Sequence, residues 1–133
     1  MSSLLNTNVY DYMNVLDKAA DAAWLRNDCI SNNLANVDTP GYKREDVDFE
    51  AQLKRALGAS RYTTMDEKVA VLNNKDLRPK AYTDYAGYSY RADGNNVDVD
   101  VENVELASEQ IRYELLSDSV TQEFSRLQTA IGS

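Results

Sequence analysis

Twenty-two Asp and Glu side chains, a single cysteine and no histidine bound the chemistry open to this 133-residue chain. Without histidine there is no Ser-His-Asp relay, no imidazole-ligated zinc and no imidazole switch near neutral pH. Cys29 stands alone, so neither an intrachain disulfide nor a Cys-x-x-Cys site can form, and a small buried thiol is the simpler reading. The run Asp93-Gly94-Asn95-Asn96-Val97-Asp98-Val99-Asp100 invites a calcium reading. An EF-hand loop needs Gly at its sixth position and Glu at its twelfth, and neither is in register here. A carboxylate hydrolase needs two positioned acids in one pocket, and nothing in the spacing singles out such a pair. Tyr82, Tyr85, Tyr88 and Tyr90 alternate with small and polar residues, as either an interface patch or the local packing of a long loop. No catalytic residue, metal ligand or cofactor site is expected.

The elements that would position these residues are mainly helical. From about Asn8 to Asn36, Val9, Tyr12, Leu16, Ala19, Ala23, Ile30 and Leu34 recur mostly at three- and four-residue steps. That spacing predicts one long helix of about 40 Å, with Arg26 interrupting its apolar stripe. Pro40-Gly41 fits the central positions of a type II turn in which Gly41 takes φ > 0, and Asn33, Asn36 and Asp38 stand ready to bond the helix end or the turn. Phe49, Leu53 and Leu57 predict a short second helix over Glu45–Leu57. Residues 58–96 read as irregular, with weak alternation over Lys68–Leu72 and one or two short strands. Asp100 is the expected N-cap of a last helix reaching about Ile131, roughly 46 Å long. Its stripe is Val104, Ala107, Ile111, Leu115, Leu116, Val120, Phe124, Leu127 and Ile131, with a shift of face at Leu115-Leu116. The expected organisation is residues 1–57, a loose middle 58–96, and residues 97–133 folding back on the first helix as one discontinuous, coiled-coil-like domain.

Charge sharpens this picture. The net charge is −8 and the sequence pI about 4.5, which argues against a nucleic-acid partner. Residues 1–50 carry four basic and nine acidic side chains, residues 51–96 eight and five, and residues 97–133 two and eight. Two acidic ends attract one another only through apolar burial or a basic partner. Val9, Tyr12, Leu16, Ala23, Ile30 and Leu34 are therefore expected to pack with Val104, Ile111, Leu116, Val120, Phe124 and Leu127. Two helices of this length in a small chain leave apolar faces uncovered, which points to an assembly subunit that orders on polymerisation. No apolar run is long enough to span a membrane, and no secretory leader is visible in the first residues. The competing class is a soluble helical regulator or export-chaperone module.

Asn32-Asn33-Leu34-Ala35-Asn36-Val37-Asp38-Thr39-Pro40-Gly41-Tyr42-Lys43 strongly resembles the N-terminal signature of the bacterial flagellar rod, hook and hook-associated axial proteins. Within that family, the short chain, Asp46–Leu53, Gly94–Glu102 and Ala107-Ser108-Glu109-Gln110-Ile111-Arg112-Tyr113 are similar to the proximal-rod members, with the sister protein FlgC as the alternative. The resemblance covers both ends and is weak through the middle. It implies a subunit of the proximal rod, a periplasmic drive shaft that transmits torque and encloses an export channel. It also implies export by the flagellar type III system without a cleaved signal. Its implied partners are other rod proteins, the rod-to-ring adaptor, the export gate and further copies of the chain. Asn36, Thr39, Pro40, Gly41 and Tyr42 are the signature's turn residues, and the resemblance places them beside a neighbouring subunit.

Overall fold

A computed structural model describes residues 9–59, 61–72, 77–85 and 92–132. Helix α1 spans Val9–Ala35, strand β1 Glu45–Val47, helix α2 Phe49–Gly58, helix α3 Met65–Ala70, strand β2 Ala81–Thr83 and helix α4 Val99–Gly132. At 1.5 Å per residue the two long helices measure about 40 and 51 Å. The expected class, long terminal helices with a short helix and short strands between them, is the one found.

Helix α1 runs unbroken because no Pro or Gly falls inside it, and its last turn closes where the Asn36 N–H reaches the carbonyls of Asn32 and Asn33. Helix α4 begins earlier than expected. The Asp98 carboxylate, not Asp100, accepts from the N–H groups of Asp100 and Val101 at 3.0 and 3.3 Å, beside the positive end of the helix dipole. The helix predicted over Glu45–Leu57 also divides. Glu45, Asp46 and Val47 form β1, antiparallel to β2 with Asp46 opposite Tyr82, and α2 starts only at Phe49. In the middle segment the weak alternation at Lys68–Leu72 falls on the end of a helix, Lys68–Ala70 inside it and Val71 as its C-cap. Thr64 caps α3 by accepting from the Glu67 N–H at 3.3 Å, and Val69 turns inward. Tyr82 and Tyr85 are exposed, whereas Tyr88 and Tyr90 lie outside the described residues.

Helices α1 and α4 pack antiparallel: Trp24 meets Tyr113, Arg26 meets Glu109 and Asn33 meets Glu102. The core gathers on one side of α1, where Ala22 and Cys29 join Val47, Phe49 and Leu77, with Val15, Leu53 and Ala81 at its margin. Ala23 and Ile30, on the adjacent stripe of α1, are buried as well. Cys29 fits the buried-thiol reading, being 2% exposed, with burial pushing its thiol up to about 11.

Candidate assembly interface

The signature turn forms as its residues dictate. The Tyr42 N–H donates to the Thr39 carbonyl at 3.2 Å, and Gly41 between them has φ 74°. Two buried asparagines hold this turn to the rest of the chain. Asn95, fully buried, donates through Nδ2 to the carbonyls of Asn36, Val37 and Thr39 at 2.8–3.0 Å, while its Oδ1 accepts from the Val97 N–H. Asn33, equally buried, exchanges hydrogen bonds with the backbone N–H and carbonyl of Glu45, accepts from the Tyr42 hydroxyl and donates to Glu102. Its amide thus stands in for a strand residue beside β1. Gly41 donates to the Asp93 carbonyl at 2.7 Å, and Lys43 to that of Gly94. Two of the stretches that carry the family resemblance, 32–43 and 94–102, are therefore joined in space.

Two arginines continue this join. Arg26 donates to Glu50, Glu109 and the Val47 carbonyl, and Glu109 is 1% exposed. Arg44 reaches Asp46, Asp84 and Glu102, while its N–H is taken by Asn96. Burial alone would lower both guanidinium values, but the carboxylates around them win and hold both above the ordinary arginine range. Glu50 is held below the usual carboxylate value, first by its hydrogen bond from Arg26. Along the helix pair, Glu109, Glu102 and Asn95 recur every seven residues, opposite Arg26, Asn33 and the turn carbonyls. This is a polar ladder at the spacing of a coiled-coil seam.

The predicted contact residues divide between two faces. Ala23 and Ile30 are buried, and Leu16, Leu34, Leu116, Val120 and Leu127 are half-buried. Leu116 faces Ala19, Ala22 and Ala23 across a groove closed by Phe49 and Leu53 of α2. Tyr12 turns elsewhere, donating its hydroxyl to Asp66 of α3 at 2.6 Å. Val104, Ile111 and Phe124 are corrected as intrachain contacts, being 68, 60 and 52% exposed. The inward row of α4 is Glu102, Leu106, Glu109, Tyr113, Leu116, Val120, Glu123 and Leu127, at alternating four- and three-residue steps. An apolar count follows the wrong row because three of the true row's first four members are charged or aromatic. The side chain of Val9 lies outside the described residues. Of the turn residues, Thr39, Pro40 and Gly41 are exposed, and Asn36 and Tyr42 are half-buried. Asn33, expected to bond the helix's last carbonyls or the turn's amides, bonds β1, α4 and the Tyr42 hydroxyl instead. The parts in the ladder of Arg44, Asn95, Glu102 and Glu109 were not expected. Arg26 breaks the apolar stripe of α1, and a charge on a buried seam calls for an acidic partner across the helix pair, which is the signal that would have found Glu109.

A family model described as flagella basal body rod protein matches residues 13–43, most of α1 and its turn. The chain is 33% identical to the flagellar basal body rod protein FlgB of Bacillus subtilis over 87% of this chain and 89% of the relative. It is also 33% identical to FlgB of Borrelia hermsii, over 90% and 99% of the two chains, and to FlgB of Cereibacter sphaeroides, over 94% and 97%. At 33% identity over nearly complete chains, the chain belongs to the FlgB family of flagellar basal body rod proteins.

Proposed function

We propose that this chain is a structural subunit of the flagellar rod in its proximal part, polymerising through its terminal helices into a shaft that transmits torque and encloses the export channel. One observation carries the polymerisation. The inward row of α4 is committed to α1, while Val101, Val104, Ile111 and Leu115 form a second apolar row on its outer side, each more than half exposed. Such a row on a helix of about 51 Å is costly to leave in water and is covered when subunits pack side by side. The chain acts by shape and packing rather than by catalysis. Its partners in this reading are other rod proteins, the rod-to-ring adaptor and the export gate, which passes it out of the cytoplasm without a cleaved leader. Among the described residues no helix is long and apolar enough to cross a membrane.

Ile111→Asp tests the reading directly. Residue 111 lies off the intrachain seam, so the purified variant should keep its helicity and monomer stability. Cells carrying it should make the protein but assemble no rod and show no motility. Normal motility would remove the outer row of α4 from the assembly. A wild-type protein that stays monomeric at high concentration and is absent from isolated basal bodies would favour the soluble helical module.

A further inference from the structure

Trp24, the only tryptophan of the chain, is 57% exposed and leans on Tyr113 of α4 at 5.6 Å between ring centroids. The two rings wall a shallow groove along one edge of the helix pair, floored by Ala20 and Val120 and bordered by Asp17 and Asp21. Asp17, Asp21, Trp24 and Asp28 follow at steps of four, three and four, so they share one face of α1, and all four are exposed. None of these aspartates forms an ion pair among the described residues, and no basic side chain lines the groove. An exposed Trp–Tyr pair is the composition of an interface anchor, and its acidic border selects a basic partner.

The same chain carries such a partner on another side. Residues 51–65 hold three basic side chains and no acidic one. Of these, Lys54 and Arg55 are exposed on α2, the Arg55 side chain 73% so despite a 3.7 Å pair with Asp48. Helix α2 packs through Phe49 on the side of α1 marked by Ala22. Positions 22 and 24 lie about 200° apart around a helix, so the basic face and the aromatic groove look in nearly opposite directions. They cannot meet within one chain.

We propose that the Trp24–Tyr113 groove receives the Lys54/Arg55 face of α2 from a second copy of this chain. The arginine or lysine stacks on the indole while its charge meets Asp17 and Asp21. Because the two surfaces differ and face apart, the contact is heterologous and leaves a free groove and a free basic face at the ends of every oligomer, which is the condition for open-ended growth. The inference rests on the rod reading for its purpose but not for its test.

Trp24 itself reports the contact. On concentrating the full-length wild-type protein at low salt, sedimentation should show larger species while Trp24 emission shifts or quenches in step, and added salt should reverse both. Asp17→Lys/Asp21→Lys and Lys54→Glu/Arg55→Glu, all exposed sites whose helicity is checked by circular dichroism, should each stay monomeric under the same conditions. Mixing the two variants should restore association, since each supplies the surface that the other has reversed. Wild-type association without any change at Trp24 would place the contact elsewhere. No association of the wild type, or undiminished association of either variant, would overturn the proposal. The rod assignment is read separately, by the presence of the wild-type chain in isolated basal bodies, and stands or falls independently of the groove.

Discussion

Asn95 engages both the amide nitrogen and the carbonyl oxygen of its side chain with the backbone around it, and this makes the residue hard to replace. Three carbonyls converge on Nδ2, so Asn95→Asp keeps the shape but turns a carboxylate oxygen toward three carbonyl oxygens in a fully buried site. The expected loss is about 3 kcal/mol, the cost of a buried polar group left without its partners plus like-charge repulsion. Urea unfolding checks it, and an unchanged midpoint would mean the turn is held by other contacts. Gly41 works differently. A Cβ there would meet nothing within 4 Å, yet its φ of 74° lies where a β-branched side chain is strained. Gly41→Val should therefore lower stability through the backbone alone, by about 1–2 kcal/mol. Gly41→Asn, which tolerates the left-handed region, should recover most of that loss. Equal behaviour of Val and Asn would remove backbone conformation from the explanation.

At the scale of elements, the ladder explains why two acidic helices pair with one another. Arg26 lies among Asp46, Glu50 and Glu109, so removing it alone as Arg26→Leu leaves Glu109 buried with only the half-exposed Arg112 as counter-charge. The expected cost is about 3–5 kcal/mol, whereas Arg26→Leu with Glu109→Leu should restore most of it, since an apolar pair can replace a buried ion pair. A double-mutant cycle in urea measures the coupling, and additive effects would show the pair to be independent. The long helices, the turn and the positive φ at Gly41 were legible in the sequence because periodicity and Pro-Gly chemistry are local. The ladder was not, because Arg26 and Glu109 lie 83 residues apart: within its own helix Arg26 is only a flaw in an apolar stripe, and Glu109 lies off the row that apolar residues mark. The inward row of α4 was hidden for the same reason: Glu102 and Glu109 occupy positions that an apolar count passes over. Short strands such as Glu45–Val47 leave too few residues for alternation to declare itself, and their pairing with Ala81–Thr83 is again a distant contact.

The whole molecule carries an acidic excess yet concentrates its buried charge in arginine–carboxylate clusters, and this shapes its response to pH. Glu50, drawn below its ordinary 4.5 by the hydrogen bond from Arg26, binds fewer protons folded than unfolded in that range. Its contribution is therefore complete above pH about 4.5 and fades as acidity carries it through its depressed folded value. Arg26 and Arg44 sit above their ordinary value, so their contributions persist throughout any working range and would fade only at extreme alkalinity. The alkaline limit comes from Cys29 instead. Burial first, and then Glu45 and Asp46 nearby, keep its proton in the folded chain up to about 11, while the unfolded thiol releases it near 9.0. Over that interval the folded state binds more protons than the unfolded one, so stability falls as pH rises. Tyr42 and Tyr82, both raised chiefly by burial, extend the fall in the same direction. Urea midpoints measured across pH should thus trace a plateau from weakly acidic to weakly alkaline conditions, with an acid arm that Glu50→Gln weakens and an alkaline arm that begins later in Cys29→Ala. A flat profile through the thiol interval in the wild type would mean that Cys29 is reached by water, and that the core between α1 and β1 opens more readily than its packing implies.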